Sequence, residues 1–136
     1  HNSQFYEMKD PVGASFSRRS LYRMWIRSGR SPFLDVFDCP DPSATAPLRA
    51  VTTTPLQALA LLNHSFALRM SDVFARRLEK EGGGKTEGQV RAAFALCFGR
   101  APSGDDLREG AALIEAHGLP AFSRALFNSS EFLYVD

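Results

Sequence analysis

Thr53-Thr54-Pro55-Leu56-Gln57-Ala58-Leu59-Ala60-Leu61-Leu62-Asn63-His64-Ser65 is the stretch whose reading decides the fold of this chain. Thr54 and Gln57 stand three apart, the spacing at which a cap hydroxyl and a following amide satisfy each other's backbone N–H groups. Pro55 falls at the first helical position, where a missing N–H costs nothing and the fixed φ already suits a helix. A helix therefore starts here. Leu56, Leu59, Phe66, Met70, Val73 and Phe74 project onto one face of it as far as Glu81, where Gly82-Gly83-Gly84 ends the segment. Asn63 interrupts that apolar stripe. A buried amide must find partners or mark a break, and the expectation is a break, with Asn63 capping a separate helix from about Ser65.

Downstream the same signals recur. Thr86-Glu87-Gly88-Gln89 reads as a second capping box, with Val90, Ala93, Phe94, Cys97 and Phe98 as a buried helical face up to Gly99. Ser103 followed by Asp105 and Asp106 starts another helix, its carboxylates placed at the positive end of the dipole. Leu107, Ala111 and Ile114 line its inner face before Gly118. Pro120 opens a last helix that turns Phe122, Ala125 and Leu126 inward and ends near Asn128. No stretch alternates apolar and polar residues over four or more positions, so no strand is expected.

Upstream, prolines 11, 32, 40, 42 and 47 crowd the first fifty residues. Phe16 to Arg27 contains neither Gly nor Pro and carries Leu21, Tyr22, Trp25 and Ile26 at helical spacing, which predicts the first helix. Arg19, Arg23, Arg27 and, where the helix extends past Gly29, Arg30 recur along it as a basic stripe. Pro-rich coil is expected from Ser31 to Thr53, longer than the connections usual in a compact domain, and therefore either functional or draped on a partner. The fold class is all-α: one helical domain over 1–136, a compact bundle of about five short helices. Residues 1–53 are mostly irregular with one helix, and 54–136 are helical.

Composition bounds the function. The chain has 136 residues, 44% of them hydrophobic and 23% charged, enough apolar material for a core and no disorder signature. Sixteen basic against fifteen acidic side chains leave a net charge of +1, which argues against nucleic acid as a partner. Cys39 and Cys97 form no Cys-x-x-Cys pair, so neither a zinc ribbon nor a haem attachment site is present. Cys97 is expected to be buried and inert, and a bond to Cys39 would need an oxidising compartment. The longest apolar run, Leu56 to Leu62, is interrupted by Gln57 and is far below the ~20 residues of a membrane span. His1 to Asp10 has no signal-peptide pattern, and a chain opening at His1 reads as a piece of something longer.

No catalytic constellation stands out. His1, His64 and His117 have no partner at ligand spacing: His117 suits a helix C-terminus and His64 a turn. Asp35, Asp38 and Asp41, with Asp10, have oxygens of the kind calcium takes, but the spacing matches no EF-hand loop, and Asp41-Pro42 is a turn former. The arginine stripe grips an anion, pairs with Asp35, Asp38 and Asp41, or is simply solvated. Gly82-Gly83-Gly84-Lys85 lacks the spacing of a phosphate loop and reads as a flexible linker. No metal and no cofactor is expected in this chain.

The order of these motifs resembles a known family. Arg18-Arg19-Ser20-Leu21-Tyr22, Phe37-Asp38-Cys39-Pro40-Asp41, Thr53-Thr54-Pro55-Leu56-Gln57-Ala58-Leu59 with Leu61-Leu62-Asn63, and the ending Asn128 to Asp136 resemble the planctomycete-type domain of unknown function 1553. The resemblance implies the C-terminal part of that domain, in a large exported bacterial protein of the periplasm or cell envelope whose haem is carried by a separate cytochrome-c-like module. Where relatives carry Asp-Pro after the position of Asn63, this chain has His64-Ser65. Phe98-Gly99-Arg100-Ala101-Pro102 and Asn128-Ser129-Ser130-Glu131-Phe132 are loosely similar to small helical repeat modules of secreted and scaffold proteins. The leading expectation is a noncatalytic docking module that uses the 31–53 loop and the Arg19, Arg23, Arg27 face. Its alternative is part of an enzyme or polysaccharide-processing assembly completed by further N-terminal segments, with Arg18, Arg19, Asp38, Asp41, Gln57 and Asn63 as polar contributors. A third reading binds an anionic polymer through the arginines.

Overall fold

The computed structural model describes residues 12–13, 19–22, 31–40, 45, 47–48 and 52–134. The chain divides into two units, His1–Ala60 and Leu61–Asp136. Among the described residues all regular structure is helical: a 3-10 turn at Ser20–Tyr22 and six α-helices, Pro32–Val36 (α1), Pro55–Asn63 (α2), Ser65–Glu81 (α3), Thr86–Phe98 (α4), Gly104–Phe127 (α5) and Ser130–Leu133 (α6).

In the first unit, most of the helix expected over Phe16 to Arg27 lies outside the described residues. Its described part is the single 3-10 turn, closed by Tyr22 N–H donating to the Arg19 carbonyl at 2.9 Å. The Ser31–Thr53 segment is not all coil, because α1 occupies Pro32–Val36. Ser31-Pro32 repeats the hydroxyl-then-proline start of Thr54-Pro55, with Asp35 in the first turn, and Phe33 and Phe37, one turn apart, bring their ring centroids to 5.1 Å. Proline content had masked a proline-initiated helix. At α2 the capping box forms as read: Gln57 N–H donates to Thr54 Oγ1 at 3.3 Å, and Thr54 N–H donates to Gln57 Oε1 at 3.0 Å.

The second unit is built on α3, α4 and α5, with α3 packed chiefly on α5, α4 also on α5, and a smaller α3–α4 contact. The break between α2 and α3 occurs, but His64 is the cap, not Asn63. His64 is extended (φ −67, ψ 137) and its Nδ1 accepts from Phe66 N–H at 3.2 Å. An imidazole acceptor thus stops one helix and starts the next without proline. The buried stripe of α3 is Ala67, Ser71, Ala75 and Leu78, whereas Leu56, Leu59, Phe66 and Val73 of the expected stripe are exposed. Buried Ser71 is satisfied by donating to the Ala67 carbonyl at 2.9 Å.

Gly82-Gly83-Gly84 is a tight turn, not a loose linker. A methyl on Gly82 would sit 2.6 Å from Gln89 Cγ, and one on Gly88 would collide with the Gly82 carbonyl. Gly83 and Gly84 supply positive φ values of 66 and 75. No capping box forms at Thr86, because the helix starts one residue earlier. The cap is Lys85, with no side-chain bond, Gln89 lies against Gly82, and Gln89 N–H donates to the Lys85 carbonyl at 3.0 Å. At α5 the Ser103–Asp106 box is complete. Gly118 (φ 82, ψ 167) breaks α5 into two segments, and Pro120 opens the second as its position predicts. The core joins Ala75 and Leu78 of α3, Val90, Ala93 and Phe94 of α4, and Leu119, Phe122 and Leu126 of α5. Ala125, expected inward, is exposed, and Ser123 takes a fully buried place beside Phe122.

Candidate functional site

Of the six polar residues singled out from sequence, Arg18 and Asp41 lie outside the described residues, as do Arg23, Arg27 and Arg30 of the stripe. Arg19 is exposed, and Asn63 ends α2 as an exposed residue. Asp38 and Gln57 are brought together, through a residue that sequence reasoning passed over. Thr52 donates its backbone N–H to Asp38 Oδ2 at 2.7 Å and its hydroxyl to the two carboxylate oxygens at 2.9 and 2.8 Å. Gln57 Nε2 in turn donates to Thr52 Oγ1 at 3.2 Å. Asp38 has φ 54, a left-handed conformation that Asp tolerates better than most residues, and this turns its carboxylate toward a residue fourteen positions ahead.

The chemistry of this chain of bonds is limited by what is already committed. The Asp38 carboxylate accepts the backbone N–H of Thr52 and shares the one Thr52 hydroxyl proton between its two oxygens, and Gln57 Oε1 is engaged by the Thr54 cap. A general base needs a lone pair directed at substrate, and a nucleophilic hydroxyl needs a base that takes its proton. Here the carboxylate is used to close a loop, tying Asp38 beyond α1 to the residues that lead into α2. Thr52 was one residue short of the string Thr53 to Leu59, and nothing in its spacing pointed to Asp38.

A second polar centre lies in the second unit and was missed as a site. Arg100, between α4 and α5, grips Glu131 of α6 with both arms of its guanidinium: Nε to Oε1 at 2.6 Å and Nη2 to Oε2 at 2.8 Å. Its Nη1 reaches Asp106 Oδ2 at 3.0 Å and the Ala101 carbonyl at 3.2 Å. The guanidinium carbon also lies 5.0 Å from the Phe94 ring centroid and 5.7 Å from that of Phe98. The hydrogen bond from Arg100 holds the Glu131 carboxyl below its ordinary value. Asp106 is held low first by the backbone N–H of Ser103 and then by Arg100. Arg100 itself is raised, chiefly by its bond to Glu131. The signal was present in the Gly99-Arg100 and Ser130-Glu131 strings, which the geometry now joins. Beneath α6, Phe74, Phe127 and Phe132 stack with centroid separations of 5.4 and 5.2 Å.

Other candidate groups have structural employment. Cys39 and Cys97 are free thiols. Burial pushes the Cys97 thiol up to about 11, which leaves little thiolate for nucleophilic work. His64 is a helix cap. Among the described residues no three His, Cys, Asp or Glu side chains are grouped to hold a metal ion, and no helix is long and apolar enough to cross a membrane.

The family described as a protein of unknown function (DUF1553) matches residues 2–114. That match ends at Ile114 within α5, so the Asn128–Asp136 ending lies beyond it. Neither a curated protein nor a solved structure matches the chain.

Proposed function

The chain belongs to the DUF1553 family, and from that membership we propose that it is a noncatalytic docking module of a larger exported bacterial protein of planctomycete type. The observation that carries this reading is α2. From Pro55 to Asn63 it holds no charged residue and no buried one, and Leu56 and Leu59 are 60% and 53% exposed. Large apolar side chains kept in water along an uncharged helix are the usual sign of a surface that meets another. The committed hydrogen bonds of Asp38 and Gln57 favour docking over the enzyme reading, which needed those groups open to a substrate. On this reading the partner is the rest of the parent polypeptide, including the cytochrome-c-like module that would carry the haem, and the setting is the periplasm or cell envelope.

The test is calorimetric titration of the chain with the remaining segments of its parent. The wild-type chain binds, and Leu56→Asp combined with Leu59→Asp weakens binding at least tenfold while circular dichroism shows the helices retained. Turnover of an envelope polysaccharide or an electron donor by the isolated chain, or no binding by the wild-type chain, overturns the proposal.

A further inference from the structure

α6 has four residues, Ser130–Leu133, and none of them is buried. A single helical turn does not return the cost of nucleating it, so its order comes from what it touches. The corner before it is tied to α5: Ser129 donates its N–H and its hydroxyl to the Leu126 carbonyl at 3.0 and 2.7 Å, and Asn128 Nδ2 donates to the Arg124 carbonyl at 2.9 Å. Beyond Ser129 the segment lies on two groups of the bundle. Glu131 sits in the Arg100 fork, and the Phe132 ring centroid lies 5.2 Å from that of Phe127. Water reaches both contacts: the Arg100 and Glu131 side chains are 41% and 45% exposed, and Phe132 is 40% exposed.

The groups that receive α6 are held in place without it. Apart from Glu131, Arg100 has Asp106, the Ala101 carbonyl and the Phe94 and Phe98 rings to fix its guanidinium. Asp106 is fixed in turn by its capping box with Ser103. The edge formed by Nε and Nη2 is therefore a preset two-donor fork for a carboxylate, and Phe127 beside it is backed by Phe74 at 5.4 Å. We propose that fork and ring form a docking seat for a peptide segment in which glutamate is followed directly by an aromatic residue, and that α6 is a releasable strap filling that seat from within the chain. The chemistry of the occupant is the one the structure shows in place, Glu131-Phe132. A simple anion satisfies the fork and leaves the Phe127 ring uncovered. Release is local, because a segment without buried residues opens at far lower cost than the bundle unfolds, and its exposed ion pair weakens with salt. The inference does not depend on what α2 meets, so it stands or falls apart from the docking reading.

The experiment uses the full chain carrying Glu131→Ala with Phe132→Ala, which leaves the seat and disables the strap, and a fluorescent peptide of the sequence Asn128 to Tyr134. The expected result is saturable binding at least tenfold tighter than to the wild-type chain, whose own α6 competes as a tethered ligand, with circular dichroism showing the helices retained. Adding Arg100→Met abolishes the binding, and alanine in place of the peptide's phenylalanine weakens it at least fivefold. No binding to the double variant, equal binding to the wild type, or binding that survives Arg100→Met overturns the proposal. A peptide indifferent to the loss of its phenylalanine reduces the seat to a carboxylate site and overturns it too. Hydrogen exchange on the wild-type chain gives a second readout. The amides of Phe132, Leu133 and Tyr134, which donate to the Ser129 and Ser130 carbonyls, exchange several-fold faster in high salt while those of Leu78 and Val90 do not change. Exchange of all five together means that α6 leaves only when the bundle unfolds, and the strap is then refuted.

Discussion

Gly110 lies in the middle of the first segment of α5, and a methyl group placed on it would meet Val90 Cγ1 and Cγ2 at 3.1 Å each and Phe122 Cε2 at 3.2 Å. Gly110→Ala therefore opposes two effects of similar size. Alanine is favoured over glycine in a helix interior by about 1 kcal/mol, because the unfolded glycine has more freedom to lose. Forcing a methyl into a filled core costs roughly 1–3 kcal/mol. The neighbours decide the sign. Val90 is fully buried, and a β-branched residue in a helix has essentially one χ1 well, so it does not swing aside. Phe122 is buried as well, leaving a shift of α4 away from α5 as the way to make room. The net expectation is a loss of about 1 kcal/mol, seen as a lower urea midpoint at unchanged slope. Val90→Ala alone removes two methyls and costs roughly 2–3 kcal/mol. In the double variant the new alanine methyl has room and its helix preference is no longer opposed, so the pair lies about 2 kcal/mol closer to wild type than the sum of the singles. A stabilised Gly110→Ala, or strict additivity of the two changes, refutes the reasoning.

Three further outcomes follow from the geometry of the second unit. The Glu131 carboxyl is held below its ordinary 4.5, so the stability it contributes is complete above that pH and lost as pH falls through the lower folded value. Thermal scans descending in pH show Glu131→Gln with a flatter profile than wild type below pH 4.5, and parallel profiles contradict the linkage. Gly118→Ala places a side chain at φ 82 and ψ 167, a region essentially reserved for glycine; it costs about 1–3 kcal/mol in urea unfolding, and an unchanged midpoint means the bend forms without that backbone. The Ser123 hydroxyl is buried without a partner among the described residues. Ser123→Ala thus raises stability by about 1 kcal/mol, and a fall shows that the hydroxyl is satisfied.

Local chemistry was legible in the sequence wherever the determining groups are neighbours. The Thr54–Gln57 box, the helix start at Ser103 with its first-turn carboxylates, the proline starts at Pro55 and Pro120 and the Gly118 break all rest on residues within four positions of each other, and all form; that Ser103 and Asp106 also close a capping box is added by the structure. Errors began where a distant contact or a shifted helix start intervened. The apolar stripe of α2 continues on paper through Asn63 into α3, but α3 is a separate helix after His64, and its packing on α5 and α4 buries Ala67 and Ala75 and leaves Phe66 and Val73 exposed. Thr86-Glu87-Gly88-Gln89 has the spacing of a capping box, but the helix starts one residue earlier with Lys85 as its cap, which puts Thr86 inside the first turn, with Gln89 close against Gly82. Sequence spacing carries no information about that approach.

The polar groups show the same division more sharply. Asp38 and Gln57 were selected because their strings resembled a family, yet what joins them is Thr52, fourteen residues from Asp38. Arg100 and Glu131 are thirty-one residues apart, and neither looks special within its own turn. Each is explained only when the helices between them are folded. Arg100 then faces two carboxylates at once, from the first turn of α5 and from α6, and rests against the Phe94 and Phe98 rings of α4. A bidentate fork is well suited to that task, because it fixes direction as well as charge and so sets the angle at which α6 leaves α5. Lysine at position 100 keeps the charge and loses the fork. If orientation is what the residue supplies, Arg100→Lys loosens residues 129–134 in hydrogen exchange nearly as much as Arg100→Met, while full protection in the lysine variant shows that charge alone holds α6.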